Sequence, residues 1–89
     1  MKIKDGFILK KIAGSTVVVP VGDTLVNLQL MLSLNESGAF LWQQLQKDCT
    51  KDDLLAAMQA EYYVDAATAA ADIDAFLNTL KENHILDEA

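Results

Sequence analysis

Between Asn27 and Leu34 the chain alternates strictly. Leu28, Leu30, Leu32 and Leu34 fall on one side, Asn27, Gln29, Met31 and Ser33 on the other. A period of two is the signature of a β-strand with one dry face and one mostly wet face. Two earlier runs, Phe7 to Ala13 and Thr16 to Val21, are rich in Ile, Leu and Val, and each is followed by a Gly-led pair, Gly14-Ser15 and Gly22-Asp23. Gly at the first position of a two-residue loop suits a type II′ hairpin turn, which needs φ > 0 there. The expectation is a three-stranded antiparallel meander. Pro20 conflicts with it, because a middle strand needs the N–H that Pro lacks. Strand two therefore ends near Val19 or carries a bulge.

After Asn35 the period changes. Asn35 is a good N-cap for a helix over Glu36 to Lys47, with Ala39, Trp42 and Leu45 recurring at helical spacing and Leu41 widening the stripe. Thr50 opens a second helix from Lys51 to about Glu61, and Asp53 stands where the acid of a capping box belongs. Its buried face is Leu54, Leu55, Met58 and Tyr62. Asp65 caps a third helix from Ala66 to about Asn83, with Ala69, Ile73, Phe76, Leu77 and Leu80 on one stripe. Asp72, Asp74, Asn78 and Lys81 largely face away from it. Ile85 and Leu86 are expected to fold back and close the core.

Strands followed by helices predict an α+β fold. With 89 residues, a single domain over 1–89 is expected, since a second core would not fit. The 52% hydrophobic and 22% charged content excludes a disordered tail. No apolar run approaches the ~20 residues of a membrane span, and the start lacks the apolar core of a signal peptide. One Cys cannot form an internal disulfide, so a cytoplasmic setting is the default. A net charge of −6 opposes a phosphate backbone, which argues against a nucleic-acid partner.

No catalytic constellation emerges. Cys49 precedes the Thr50 cap and stands at hydrophobic-staple spacing from Leu54, so it reads as a packing residue rather than a thiolate. His84 falls four residues after Leu80, where a helix C-terminus favours it without any catalytic duty. One Cys and one His cannot furnish a structural zinc site, and the acids lack the spacing of a calcium loop. Gly6, Gly14, Gly22 and Gly38 form no phosphate-binding pattern. Trp42 reads as core, and Tyr62 and Tyr63 as the end of the second helix. No enzyme activity, no metal and no cofactor are expected. What remains is the edge of the last strand. Met31 and Ser33 are not charged gatekeepers, so the edge can be covered by a helix, paired with a second copy, or extended by a peptide strand.

The stretch Leu34-Asn35-Glu36-Ser37-Gly38-Ala39-Phe40-Leu41-Trp42-Gln43-Gln44-Leu45 resembles the Leu-Asn-x-Thr/Ser-Gly/Ala-x-x-Ile/Leu-Trp-x-x-Leu signature of the PqqD family. The flanks agree: Val17 to Gly22 resembles the family's hairpin, Thr50 opens the second helix, and Tyr63-Val64-Asp65 opens the third. The likeness covers essentially the whole chain, with Pro20 part of the pattern. One segment departs: Asp23 to Gln29 is longer than the second turn of the shortest members.

The resemblance implies a winged-helix-like fold of three strands followed by three helices. It also implies the role of a RiPP recognition element, a non-catalytic peptide chaperone in natural product biosynthesis. The leader of a ribosomally made precursor peptide would add as an antiparallel strand on strand three, against the third helix. The core peptide would then be presented to a modifying enzyme, often a radical-SAM enzyme with a SPASM domain. On this reading the backbone of Leu30, Met31, Leu32, Ser33 and Leu34 supplies the pairing edge, and Leu30, Leu32, Ile73, Phe76, Leu77 and Leu80 wall the groove, some of them serving as core as well. Asp72 and Lys81 meet leader side chains of opposite charge, while Asn35, Gly38 and Trp42 are structural. Two readings from other classes stay open. One is a winged-helix transcriptional regulator, disfavoured because the third helix carries Asp72, Asp74 and Glu82 against Lys81 alone. The other is a homodimer joined through the edge strand.

Overall fold

The structure, a computed structural model, describes residues 1–22 and 32–88. Its elements run β1 (Lys2–Ile3), β2 (Phe7–Ile12), β3 (Ser15–Pro20), β4 (Leu32–Leu34), α1 (Glu36–Gln44), α2 (Lys51–Glu61), α3 (Ala66–Glu82) and β5 (Leu86–Asp87). Strands β2, β3 and β4 form an antiparallel sheet in that order, and β1 pairs antiparallel with β5 in a small second sheet. The fold is α+β, as the change of period near Asn35 predicts.

The first turn differs from expectation. Ile12 pairs with Ser15, so the two-residue loop is Ala13-Gly14 rather than Gly14-Ser15. Both residues have positive φ, 52° at Ala13 and 83° at Gly14, which is the type I′ pattern. Packing explains the choice. In this register Leu9 lies opposite the fully buried Val18 and Phe7 opposite Pro20, while Lys11 meets Thr16 near the solvent. The Gly14-Ser15 loop would instead bring Lys11 opposite Val18.

Pro20 ends β3 without breaking the β2 ladder. In a two-residue hairpin the closing pair exchanges both hydrogen bonds, so Ser15, Val17 and Val19 aim their backbone groups at β2. The same parity continues to Val21, whose N–H donates to Gly6 O at 2.8 Å. Pro20 falls on the other parity, so the N–H it lacks belongs to the side away from β2.

Each helix starts where its cap is. The Asn35 side chain accepts from Gly38 N–H at 2.8 Å. Thr50 and Asp53 form the reciprocal capping box, with bonds of 3.1 and 2.9 Å. Asp65 accepts from Thr68 N–H at 3.4 Å. Helix α1 stops at Gln44, short of the predicted Lys47. Its last turn tightens, with Leu45 N–H shared between the carbonyls of Leu41 and Trp42, and the Leu45 carbonyl accepts from Ile3 N–H at 2.9 Å. Strand β1 thus takes the acceptor that another helical turn would have used.

The core joins the sheet to all three helices. Val18, Leu45, Ala69, Ile73, Leu80 and Ile85 have no exposed surface, and Trp42, Leu41, Leu54 and Met58 are nearly as deep. Complete burial of each large aliphatic side chain contributes about 1.5–3 kcal/mol. Ile85 and Leu86 do fold back, and they do so as the start of the β5 pairing, with Ile3 opposite Leu86. No described helix is long and apolar enough to cross a membrane.

Candidate functional site

Strand β4 is the last strand of its sheet and, among the described residues, pairs with β3 alone. Thr16 lies opposite Leu34, Val17 opposite Ser33 and Val18 opposite Leu32. By the parity set at the hairpin, Thr16 and Val18 direct their backbone groups to β4, so Leu32 and Leu34 are the residues bonded to β3. Ser33 then directs its N–H and C=O outward, away from the sheet. One donor and one acceptor on a strand edge are the minimum grip for an added strand.

Beside this edge runs a groove of about 410 Å³ between β4 and α3. Leu32, Ser33 and Leu34 form one wall, Asp72, Ala75, Phe76 and Thr79 the other, and the start of α1 from Asn35 to Leu41 closes the back. The four α3 residues stand at i, i+3, i+4 and i+7, one stripe of the helix. Leu32 and Leu34 are half-buried and rest on the core, so their remaining surface is what the groove exposes. Gly38 is buried where α1 passes Phe76. Thr79 donates its hydroxyl to Ala75 O at 3.1 Å, so its donor is used within the helix.

Of the residues singled out from the sequence, Leu32, Ser33, Leu34, Asp72 and Phe76 line this groove. Leu30 and Met31 lie outside the described residues, as do Leu28 and the Asp23 to Gln29 segment. Ile73 and Leu80 have no exposed surface and Leu77 is 6% exposed, so all three belong to the core behind the groove. Lys81 sits in the last turn of α3, paired with Glu88 at 3.1 Å, and is not part of the groove wall. Sequence reasoning missed Ala75 and Thr79. Their only signal was a helical offset of three or seven from Asp72, and small or polar side chains give that offset no hydrophobic weight.

Burial pushes the Cys49 thiol above its ordinary pKa, and Cys49 packs against the core at the entrance to α2. A thiol so placed is a poor nucleophile at neutral pH. His84 is exposed and lies beyond α3 rather than on its apolar stripe, with φ 58°. Phe40 and Tyr62 meet edge to face at 5.5 Å, tying α1 to the end of α2. Among the described residues, no group of three His, Cys, Asp or Glu side chains is placed to hold a metal ion.

The comparisons with known proteins agree with this architecture. The solved structure described as TbiB1 in complex with the TbiA(beta) leader peptide superposes with a TM-score of 0.76 at 25% identity, covering 100% of this chain and 98% of that one. No curated protein matches significantly. The family profile of PqqD, coenzyme PQQ synthesis protein D, matches residues 24–86. Together with the Leu34 to Leu45 signature, that match places the chain in the PqqD family.

Proposed function

We propose that residues 1–89 act as one peptide-recognition domain, a non-catalytic chaperone that captures the leader of a ribosomally made precursor peptide. The leader adds as a strand on the outer edge of β4 and lays alternate side chains into the groove against α3. Main-chain hydrogen bonds supply affinity and the groove supplies specificity, as in other cases of strand addition. The observation that carries this reading is the β4 edge, which among the described residues is paired on one side only, lying beside a groove lined by both apolar and polar side chains. The likeness to a structure solved with a leader peptide supports it.

Presentation follows from capture. Holding the leader brings the rest of the precursor to high effective concentration near a modifying enzyme, which on the family's pattern is a radical-SAM enzyme working in the cytoplasm. The edge can be tested alone. Ser33→Pro removes the outward N–H while sparing the bonds of Leu32 and Leu34 to β3, a position where Pro is tolerated. The variant is expected to fold and to lose affinity for a synthetic leader peptide from the neighbouring precursor gene. A folded variant with unchanged affinity would place the peptide elsewhere.

A further inference from the structure

We propose that the β4–α3 groove selects extended peptides bearing Lys or Arg beside a large apolar side chain, with Asp72 reading the positive charge. This deepens the peptide-capture reading and rests on it. Among the described residues, Asp72 is the one charged residue lining the groove. No hydrogen bond or ion pair among the described residues engages it. Its neighbours are otherwise occupied: Asp65 caps α3, and Asp74 is ion-paired with Lys51. No lysine of the protein competes for the place. Lys81 is paired with Glu88, and Lys10 and Lys11 line a neighbouring hollow that shares Ser33 and Leu34 with the groove but does not include Asp72. A carboxylate alone in an otherwise uncharged groove attracts a cation and repels an acid, which sets specificity more than affinity.

Spacing fixes what should accompany the cation. Asp72 precedes Ala75 and Phe76 by three and four residues, about 4.5–6 Å along the helix axis. Same-side residues of an added strand stand about 6.6 Å apart. With the added strand running along α3, a cationic side chain opposite Asp72 leaves the next same-side residue opposite Ala75 and Phe76. There the wall is apolar and the groove is roomy, because Ala75 is exposed with only a methyl group and Gly38 behind it has no side chain. A Leu, Ile, Phe or Trp two residues from the cation fits that place.

The test is selection of a displayed library of random 12-residue peptides on the wild type, Asp72→Asn and Asp72→Lys. Far-UV circular dichroism checks that the variants fold, as expected for an exposed position. Wild-type selection should enrich Lys or Arg two residues from a large apolar residue. Exchanging that cation for Glu in a synthesised winner should weaken binding on the order of fivefold at low salt. Asp72→Asn should lose the preference and Asp72→Lys should invert it. Winners without a cation excess, or the same preference on Asp72→Lys, would overturn the role of Asp72 while leaving peptide capture intact. Enrichment of no sequence class, or winners that leave the amides of 32–34 and 72–79 unshifted, would overturn peptide capture and this proposal with it.

Discussion

Gly38 and Phe76 meet at the back of the groove. A Cβ on Gly38 would stand 3.5 Å from Cε1 of Phe76 and 3.0 Å from Oδ1 of Asn35, the atom that caps α1. The distance to Phe76 is ordinary van der Waals contact, so the tight place is the cap, which the glycine leaves undisturbed. Gly38→Ala gains about 1 kcal/mol of helix propensity and disturbs a cap of similar worth, so its stability should change by less than about 1 kcal/mol. Gly38→Val adds bulk against the Phe76 ring and should destabilise by about 1–3 kcal/mol. Urea unfolding of both variants checks the difference.

Helix α3 ends in a Schellman motif whose left-handed residue is a histidine. Ile85 N–H donates to Leu80 O at 2.9 Å and His84 N–H to Lys81 O at 3.1 Å, with Leu80 and Ile85 both fully buried. At φ 58° a side chain costs roughly 1–2 kcal/mol that glycine avoids, though glycine loses more chain entropy on folding. Among the described residues the exposed His84 side chain has no hydrogen-bond or ion-pair partner, and the helix terminus favours it only weakly, so His84→Gly should stabilise by up to about 1 kcal/mol. A thermal melt that shows a lower midpoint would contradict this reading of the cap.

Acid should loosen α3 at its start. Hydrogen bonds from the Thr68 side chain and backbone hold the Asp65 carboxyl below its ordinary pKa of 3.8. A depressed folded-state pKa means that the stabilisation is complete above the unfolded value and is lost as pH falls through the folded one. Asp65→Asn keeps an acceptor at the cap without the titration. Its unfolding free energy, followed from pH 7 to about pH 2, should therefore fall less steeply below pH 3.8 than that of the wild type. Identical slopes would show that the cap is not the titrating element.

The helices were legible because their signals are local. Asn35, Thr50 and Asp65 each cap within three residues of themselves, and the Ala69 to Leu80 stripe is dictated by one helix's own period. Features decided by distant partners were not legible. Strands β1 and β5 have two residues each and exist because Ile3 and Leu86 meet across the chain. The Ala13-Gly14 turn places a left-handed alanine that no propensity favours, and it is selected by Leu9 packing on Val18. The groove shows the same division. Hydrophobic periodicity finds the buried Ile73, Leu77 and Leu80, but the wall beside β4 includes Ala75 and Thr79, which only the approach of the strand reveals.

Capture of a leader strand on β4 is tested most directly by titrating isotope-labelled protein with the leader peptide encoded beside it, following backbone amides by NMR. The account predicts shifts concentrated in residues 32–34 and along 72–79, with slowed exchange of the Ser33 amide and no response to a DNA duplex. Shifts confined to the far edge at β2, or produced by the duplex instead, would contradict it.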